Sequence, residues 1–280
     1  MKTKFYFICF SLIVVSCNSD LNEEIPYYLD CLECMEMPRP DDSYNYKVYP
    51  GMEEWGSIST GEEKSNALQI PTSTLKKMST QAIIQSIWEH PLLQGLLFYY
   101  NDQYQKDFES LFLKNNAYIE LEKRKDAGEE LLYRYNFIKP VSSNSPCLES
   151  KLFELMLSQS VFLSQLDVNS KRKIIEIAFI HDDEMQNQST WSQLHRPITW
   201  LLIGRTLFTT DYAPFMEAVK SNAELEIFLN GWLPPAEVSD IDKENDLFNS
   251  AAQGVFYWQY QIDDIIIQDI INIGKRFLNE

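Results

Sequence analysis

Histidine is scarce in this chain, with three residues, His90, His181 and His195, and no two of them stand at helical spacing. No HExxH helix, no GxSxG elbow and no glycine-rich phosphate loop occurs, so the usual zinc-hydrolase, serine-hydrolase and nucleotide-binding arrangements are excluded. Alternating Asp and Asn around a central glycine is also missing, which excludes a calcium loop of that type. Basic charge is in deficit, 24 Lys and Arg against 41 Asp and Glu, for a net charge of −17. A surface of that sign repels phosphate backbones, and nucleic acid is not an expected partner. No apolar run approaches the roughly 20 residues that span a bilayer. The five cysteines are not required for stability, because a chain of this length buries a sufficient core without disulfides.

What is present begins at the N-terminus. Lys2 and Lys4 precede a mostly apolar run from Phe5 to Val15, and Ser16-Cys17 follows, which is the order of a secretory signal peptide. Val14-Val15-Ser16-Cys17 resembles the bacterial lipobox. That resemblance implies cleavage after residue 16 and acylation of Cys17, by diacylglycerol on sulfur and a fatty acid such as palmitate on the new amine. Two or more acyl chains anchor stably, since each buried methylene contributes about 0.8 kcal/mol. The mature chain then loses Lys2 and Lys4 and no acid. Behind Cys17, Asn18 to Glu24 is polar and acidic, and resembles the sorting stretch of Bacteroidetes lipoproteins displayed on the outer leaflet of the outer membrane. The acidic pair comes later than in that pattern.

Residues 17–65 carry Pro26, Pro38, Pro40, Pro50, Gly51, Gly56 and Gly61 with no helical apolar period, and read as a lipidated tether and irregular cap. Residues 66–280 read as a helical domain. Ser79-Thr80 caps a helix carrying Ile83, Ile84, Ile87 and Trp88, and Pro91 ends it. Further helices are expected at 103–113, 117–135, 148–158, 170–186, 197–208, 212–229 and 250–278. The last bears Ile262, Ile265, Ile266, Ile270, Ile273 and Phe277 on one stripe.

One internal similarity appears. Lys114-Asn115-Asn116-Ala117 matches Lys220-Ser221-Asn222-Ala223 at an offset of 106, and Tyr104 and Phe108 precede the first copy as Tyr212 and Phe215 precede the second. Asparagine between helical stretches is a capping signal. The expected fold is all-α, with irregular stacked helical hairpins forming an α-solenoid-like array or a multi-helix bundle.

The stretches Tyr49 to Trp55, Leu68 to Pro71, Lys77 to Thr80, His90 to Leu93 and Arg124 to Gly128 resemble a group of uncharacterised helical lipoproteins of gut Bacteroidetes. That group has no assigned activity, so the resemblance implies no catalytic residue and no cofactor.

Candidate chemistry is thin. Cys31 and Cys34 form a local disulfide or two unrelated thiols, and Cys147 has no evident partner. His90 precedes a proline and reads as a capping or surface residue. His181, in His181-Asp182-Asp183-Glu184, is read at a helix end, where it suits the dipole. The pair Asp263-Asp264 points in directions about 100° apart on a helix, which is poor geometry for paired carboxylates. Trp88, Trp200 and Trp258 fall in apolar periods and are expected in the core. Trp232, in Asn230-Gly231-Trp232-Leu233-Pro234-Pro235, lies in a turn. It is the candidate binding residue, as a stacking platform for a sugar or protein partner; the alternative is an indole folded back over a helix end. No catalytic residue, metal ligand or cofactor is expected. The expectation is a membrane-anchored, non-catalytic binding module, with a hydrolase of scattered residues and a structural subunit of an envelope assembly as alternatives.

Overall fold

The computed structural model describes residues 37–92, 108–109, 112, 114–142, 145–146, 148–186, 196–231 and 264–280. Cys17, Cys31, Cys34, Cys147, His195, Trp191, Trp232, Trp258 and Asp263 lie outside these residues.

The chain is all-α, apart from a two-residue antiparallel pair, β1 (Val141–Ser142) with β2 (Ser145–Pro146). Two short helices fall within the stretch read as an irregular cap. These are α1 (Glu53–Ser57) and α2 (Gly61–Ala67). Thr60 starts α2 through a reciprocal capping box with Glu63, each backbone N–H donating to the other's side chain at 3.1 Å. This local pairing forms a helix without an apolar period, so periodicity alone missed it.

After α3 (Thr72–Leu75), α4 (Thr80–Trp88) begins where Ser79 Oγ accepts from Ala82 N at 3.1 Å. Its Ile83, Ile84 and Ile87 are buried, and Trp88 is half-buried against Phe153. The helix stops before Pro91, as expected. The segment before α1 is strapped onto α4. Tyr44 N donates to Ser86 Oγ at 2.8 Å, Tyr46 Oη donates to the Ser86 carbonyl at 2.9 Å, and Arg39 clamps Glu89 at 2.8 and 3.0 Å. Tyr46 is 6% exposed, so it is a core residue without being in a strand.

The expected helix 117–135 is two helices, α5 (Asn116–Leu121) and α6 (Ala127–Tyr135). Between them Glu122 to Asp126 are five charged residues in succession with no apolar side chain to bury. Asp126 instead accepts from Thr80 Oγ1 at 2.9 and 3.0 Å, tying the turn to the start of α4.

Next come α7 (Leu148–Leu157), α8 (Ser160–Leu163), α9 (Val168–Gln186), α10 (Arg196–Phe208), α11 (Ala213–Ser221), α12 (Ala223–Leu229) and α13 (Asp264–Asn279). The centre is α10, whose residues from Ile198 to Gly204 are all buried in sequence. A helix buried all round has neighbours all round, and α10 packs on α7, α9, α11, α12 and α13. That enclosure is the multi-helix bundle of the two arrangements expected. On α13, Ile266, Ile270 and Phe277 face inward, with Ile273 half-buried. Ile265, expected on the same stripe, is 61% exposed, because one residue is a 100° rotation.

The internal similarity is real in part, but its register shifts by one. Asn115 Oδ1 accepts from Ala117 N and Tyr118 N, and Asn222 Oδ1 accepts from Glu224 N and Leu225 N. Asn222 thus matches Asn115, Phe215 matches Phe108, Leu225 matches Tyr118 and Phe228 matches Leu121, each 107 positions on and all but the asparagine caps buried apolar. Asn116, the partner by identity, has other work. Its side chain exchanges two hydrogen bonds with the backbone of Ile70, at 2.7 and 3.1 Å.

Candidate functional site

The densest concentration of chemically capable side chains is a sealed cluster where α6, α7, α9 and α10 meet. Lys151 and Glu154 sit one turn apart on α7, in the run Leu148-Glu149-Ser150-Lys151-Leu152-Phe153-Glu154-Leu155, and are 2% and 0% exposed. Burying charge is costly unless it is paired and hydrogen-bonded. Here it is both.

Four donors converge on one carboxylate. Glu154 Oε2 accepts from Lys151 Nζ at 2.9 Å and from Thr199 Oγ1 at 2.7 Å. Oε1 accepts from Tyr135 Oη at 2.9 Å, and His181 Nδ1 lies 3.4 Å away on the same oxygen. Lys151 Nζ also donates to Thr199 Oγ1 at 2.7 Å, so the threonine hydroxyl accepts from the ammonium while donating to the carboxylate. The His181 and Tyr135 rings meet edge to face, 4.8 Å between centroids. One helix further on, Arg196 grips Asp182 with two bonds, 2.7 and 2.8 Å, and lies 4.8 Å over the Trp200 ring.

The electrostatics follow from burial and pairing. Desolvation alone would raise the Glu154 carboxyl, but the Lys151 ammonium and the bonds and charge of His181 and Lys151 outweigh it and bring it to about 2. Burial pulls Lys151 below the usual ammonium range, against the opposing charge and hydrogen bond of Glu154. Tyr135 is pushed well above its ordinary value by burial, then by the neighbouring carboxylate. The carboxylate is therefore ionised, and every donor around it is spent on holding it. The arrangement joins four helices at a fixed register.

His181 was expected at a helix end. Because α9 runs on to Gln186, it is an interior residue, 4% exposed, whose ring serves Glu154. His90, expected as a capping or surface residue, lies just beyond the Glu89 cap of α4 with its ring packed inward. Its Nδ1 accepts from Leu92 N at 3.3 Å, its ring meets Tyr46 edge-on at 5.4 Å, and burial draws it down to about 4. Among the described residues no three His, Cys, Asp or Glu side chains converge as metal ligands. No helix of these residues is long and apolar enough to cross a membrane. Trp200 is core, at 7% exposure; Trp55 is half-buried beneath Lys64, whose Nζ lies 5.0 Å from the ring.

Sequence reasoning passed over Glu154, Lys151 and Thr199. The local signal is weak: a lysine and a glutamate three apart, with apolar Leu152, Phe153 and Leu155 to Leu157 around them, but with Glu149 and Ser150 on the same helix. Tyr135 and His181 carry no such mark, since their partner lies on other helices.

No protein-family model, curated protein or solved structure matches this chain.

Proposed function

We propose that the chain is a lipid-anchored protein of the bacterial envelope, held through acylated Cys17 on the outer membrane with its outer leaflet as the favoured face, and that its helical domain is a non-catalytic module binding a protein or glycan partner. The anchor is supported by the order of basic, apolar and small residues before Cys17 and by the lipobox resemblance. The resemblance to helical lipoproteins of gut Bacteroidetes supports the same placement.

The observation that carries the non-catalytic reading is the closure of the Glu154 cluster, whose carboxylate is 0% exposed with four donors on its two oxygens. A general acid or base must reach a substrate proton. This carboxylate reaches only its own helices, which is the role of a brace in a scaffold that presents surface.

Two measurements test the proposal. With a clickable palmitate analogue, Cys17→Ala loses label and leaves the membrane fraction, whereas Cys31→Ala and Cys34→Ala keep both; label retained in Cys17→Ala refutes the anchor. Trp232 remains the binding candidate. Trp232→Ala is expected to weaken binding about tenfold on a glycan array or in envelope pull-downs, as loss of one stacked ring does, with an unchanged melting temperature. A large drop in melting temperature with unchanged binding removes Trp232 from the site.

A further inference from the structure

We propose that Asn230 is a site of self-modification, at which the backbone nitrogen of Gly231 attacks the asparagine side-chain amide and the folded end of α12 gates the reaction. Of the asparagines in the chain, Asn230 alone is followed by glycine. Glycine has no Cβ to obstruct attack by its own nitrogen. The site stands independently of an anchor at Cys17 and of a partner at Trp232.

Water is the only co-reactant the step needs. Water or hydroxide takes the Gly231 N–H proton, the nitrogen bonds to Asn230 Cγ, and the Cγ–Nδ2 bond breaks as ammonia leaves. The product is a five-membered succinimide. A second water then cleaves one of the two ring C–N bonds. Cleavage at Cγ leaves aspartate. Cleavage at the main-chain carbonyl carbon leaves isoaspartate, which carries the chain through the side chain and lengthens it by a methylene. Nothing is oxidised or reduced.

The fold holds the two reacting groups apart. Asn230 is exposed and caps the C-terminus of α12 with φ −75° and ψ 0°. At that ψ the Gly231 nitrogen eclipses the nitrogen of Asn230, whereas ring closure needs it to eclipse Cβ, about a third of a turn away. Several contacts oppose the rotation. Gly231 N donates to the Phe228 carbonyl at 2.8 Å, so the nucleophile itself is occupied. Gly231 is buried at φ 83°, the left-handed conformation that closes a helix. Arg205 Nε donates to the Leu229 carbonyl at 2.8 Å, and Leu229 Cδ2 packs so near Gly204 that a Cβ there would stand 2.8 Å from it. The Asn230–Gly231 peptide therefore leaves its place at the end of α12 before the ring closes, and openings of that kind begin at helix ends. Conversion outlasts the opening, because a carboxylate is disfavoured at the negative end of a helix and isoaspartate shifts the register of the cap.

The test incubates the full chain in mildly alkaline buffer and follows each asparagine by peptide mass spectrometry, scoring the mass gain from amide to acid and separating isoaspartate from aspartate by fragmentation. In guanidinium chloride Asn230 is expected to convert before every other asparagine. In the folded chain it is expected to convert at least about fivefold more slowly, the factor that one net hydrogen bond supplies. Asn222→Ala loosens α12 at its other end and is expected to raise the folded-state rate at Asn230 about fivefold. Asn222→Asp keeps a capping acceptor and is expected to leave that rate unchanged. Asn169, on α9 and followed by serine, reports opening of the rest of the molecule and is expected to hold its rate in both variants. Another asparagine converting first in guanidinium chloride overturns the site. Equal rates in folded and unfolded chains, an unaltered rate in Asn222→Ala, or an acceleration that Asn169 shares overturns the gate.

Discussion

At the scale of single residues, Glu154 is where the chain stakes most on one side chain. Its oxygens satisfy the only charged group on Lys151 and three further donors from three other helices. Glu154→Gln keeps the shape but strands the ammonium, and breaking one side of a buried pair costs about 3 to 5 kcal/mol. Replacing both partners, Lys151→Met with Glu154→Leu, removes the uncompensated charge. The double variant is expected to unfold at higher urea than Glu154→Gln, and a double variant that is no more stable would show that the cluster does not act as an ion pair. The pH dependence has a defined sign. Because Glu154 is depressed to about 2, its contribution is complete above the unfolded carboxylate value near 4.3 and is lost as pH falls from there toward 2. His90, drawn by burial down to about 4, also costs stability in acid, over the earlier window from about 6.5 to 4, since the unfolded chain takes up its proton first. Urea midpoints against pH are expected to flatten in the upper window for His90→Gln and in the lower one for Glu154→Gln. Identical profiles in all three proteins would refute both assignments.

At the scale of elements, helix contacts depend on small residues and caps. A Cβ on Gly128 would stand 2.6 Å from the Phe162 carbonyl oxygen, a backbone atom that cannot swing aside, while the Gly128 N–H donates to Gln165 at 2.8 Å. Gly128→Ala gains about 1 kcal/mol of helix propensity but forces α6 and α8 apart, so a net loss of about 1 to 3 kcal/mol is expected in urea unfolding. A stabilised variant would mean the two helices do not pack this closely. Asn222→Ala removes the acceptor for Glu224 N and Leu225 N and is expected to cost about 1 kcal/mol. Helix existence was legible from period and caps, as Ser79 before α4 and the stripe Ile266, Ile270, Phe277 show. The break inside 117–135 was not, because it depends on Asp126 meeting Thr80, 46 residues away. The same limit hid most of the Glu154 cluster. Its partners, Tyr135, His181 and Thr199, are brought to α7 by packing, and no local pattern encodes them. Several short stretches are such joints: Leu68 to Pro71 meets Asn116, Lys77 to Thr80 meets Asp42 and Asp126, and Gly128 meets Gln165.

At the scale of the whole molecule, the question is where the folded body begins. Composition places the boundary near residue 66, after the proline- and glycine-bearing stretch. Contacts carry it back at least to Arg39. Tyr46 and Ser43 are each 6% exposed, Tyr44, Tyr49 and Trp55 pack against the core, and the strap bonds α4 at Ser79, Ser86 and Glu89. A chain beginning at residue 66 would uncover the seat of Tyr46 against Ser86 and His90 and leave Glu89 without its arginine. Truncating one buried aromatic to alanine costs about 3 to 5 kcal/mol, a large share of the 5 to 15 kcal/mol that holds a typical domain. Chains starting at 37 and at 66, and Tyr46→Ala in the longer one, are therefore expected to separate in urea unfolding. The chain from 37 unfolds last, and Tyr46→Ala covers much of the distance to the chain from 66. Arg39→Ala breaks a pair on the outside of the strap, where exposed ion pairs contribute about 0 to 1 kcal/mol, and is expected to shift the midpoint little. If the chains from 37 and 66 unfold at the same urea concentration, the strap is not part of the folded body, and the boundary stays near residue 66 where composition places it.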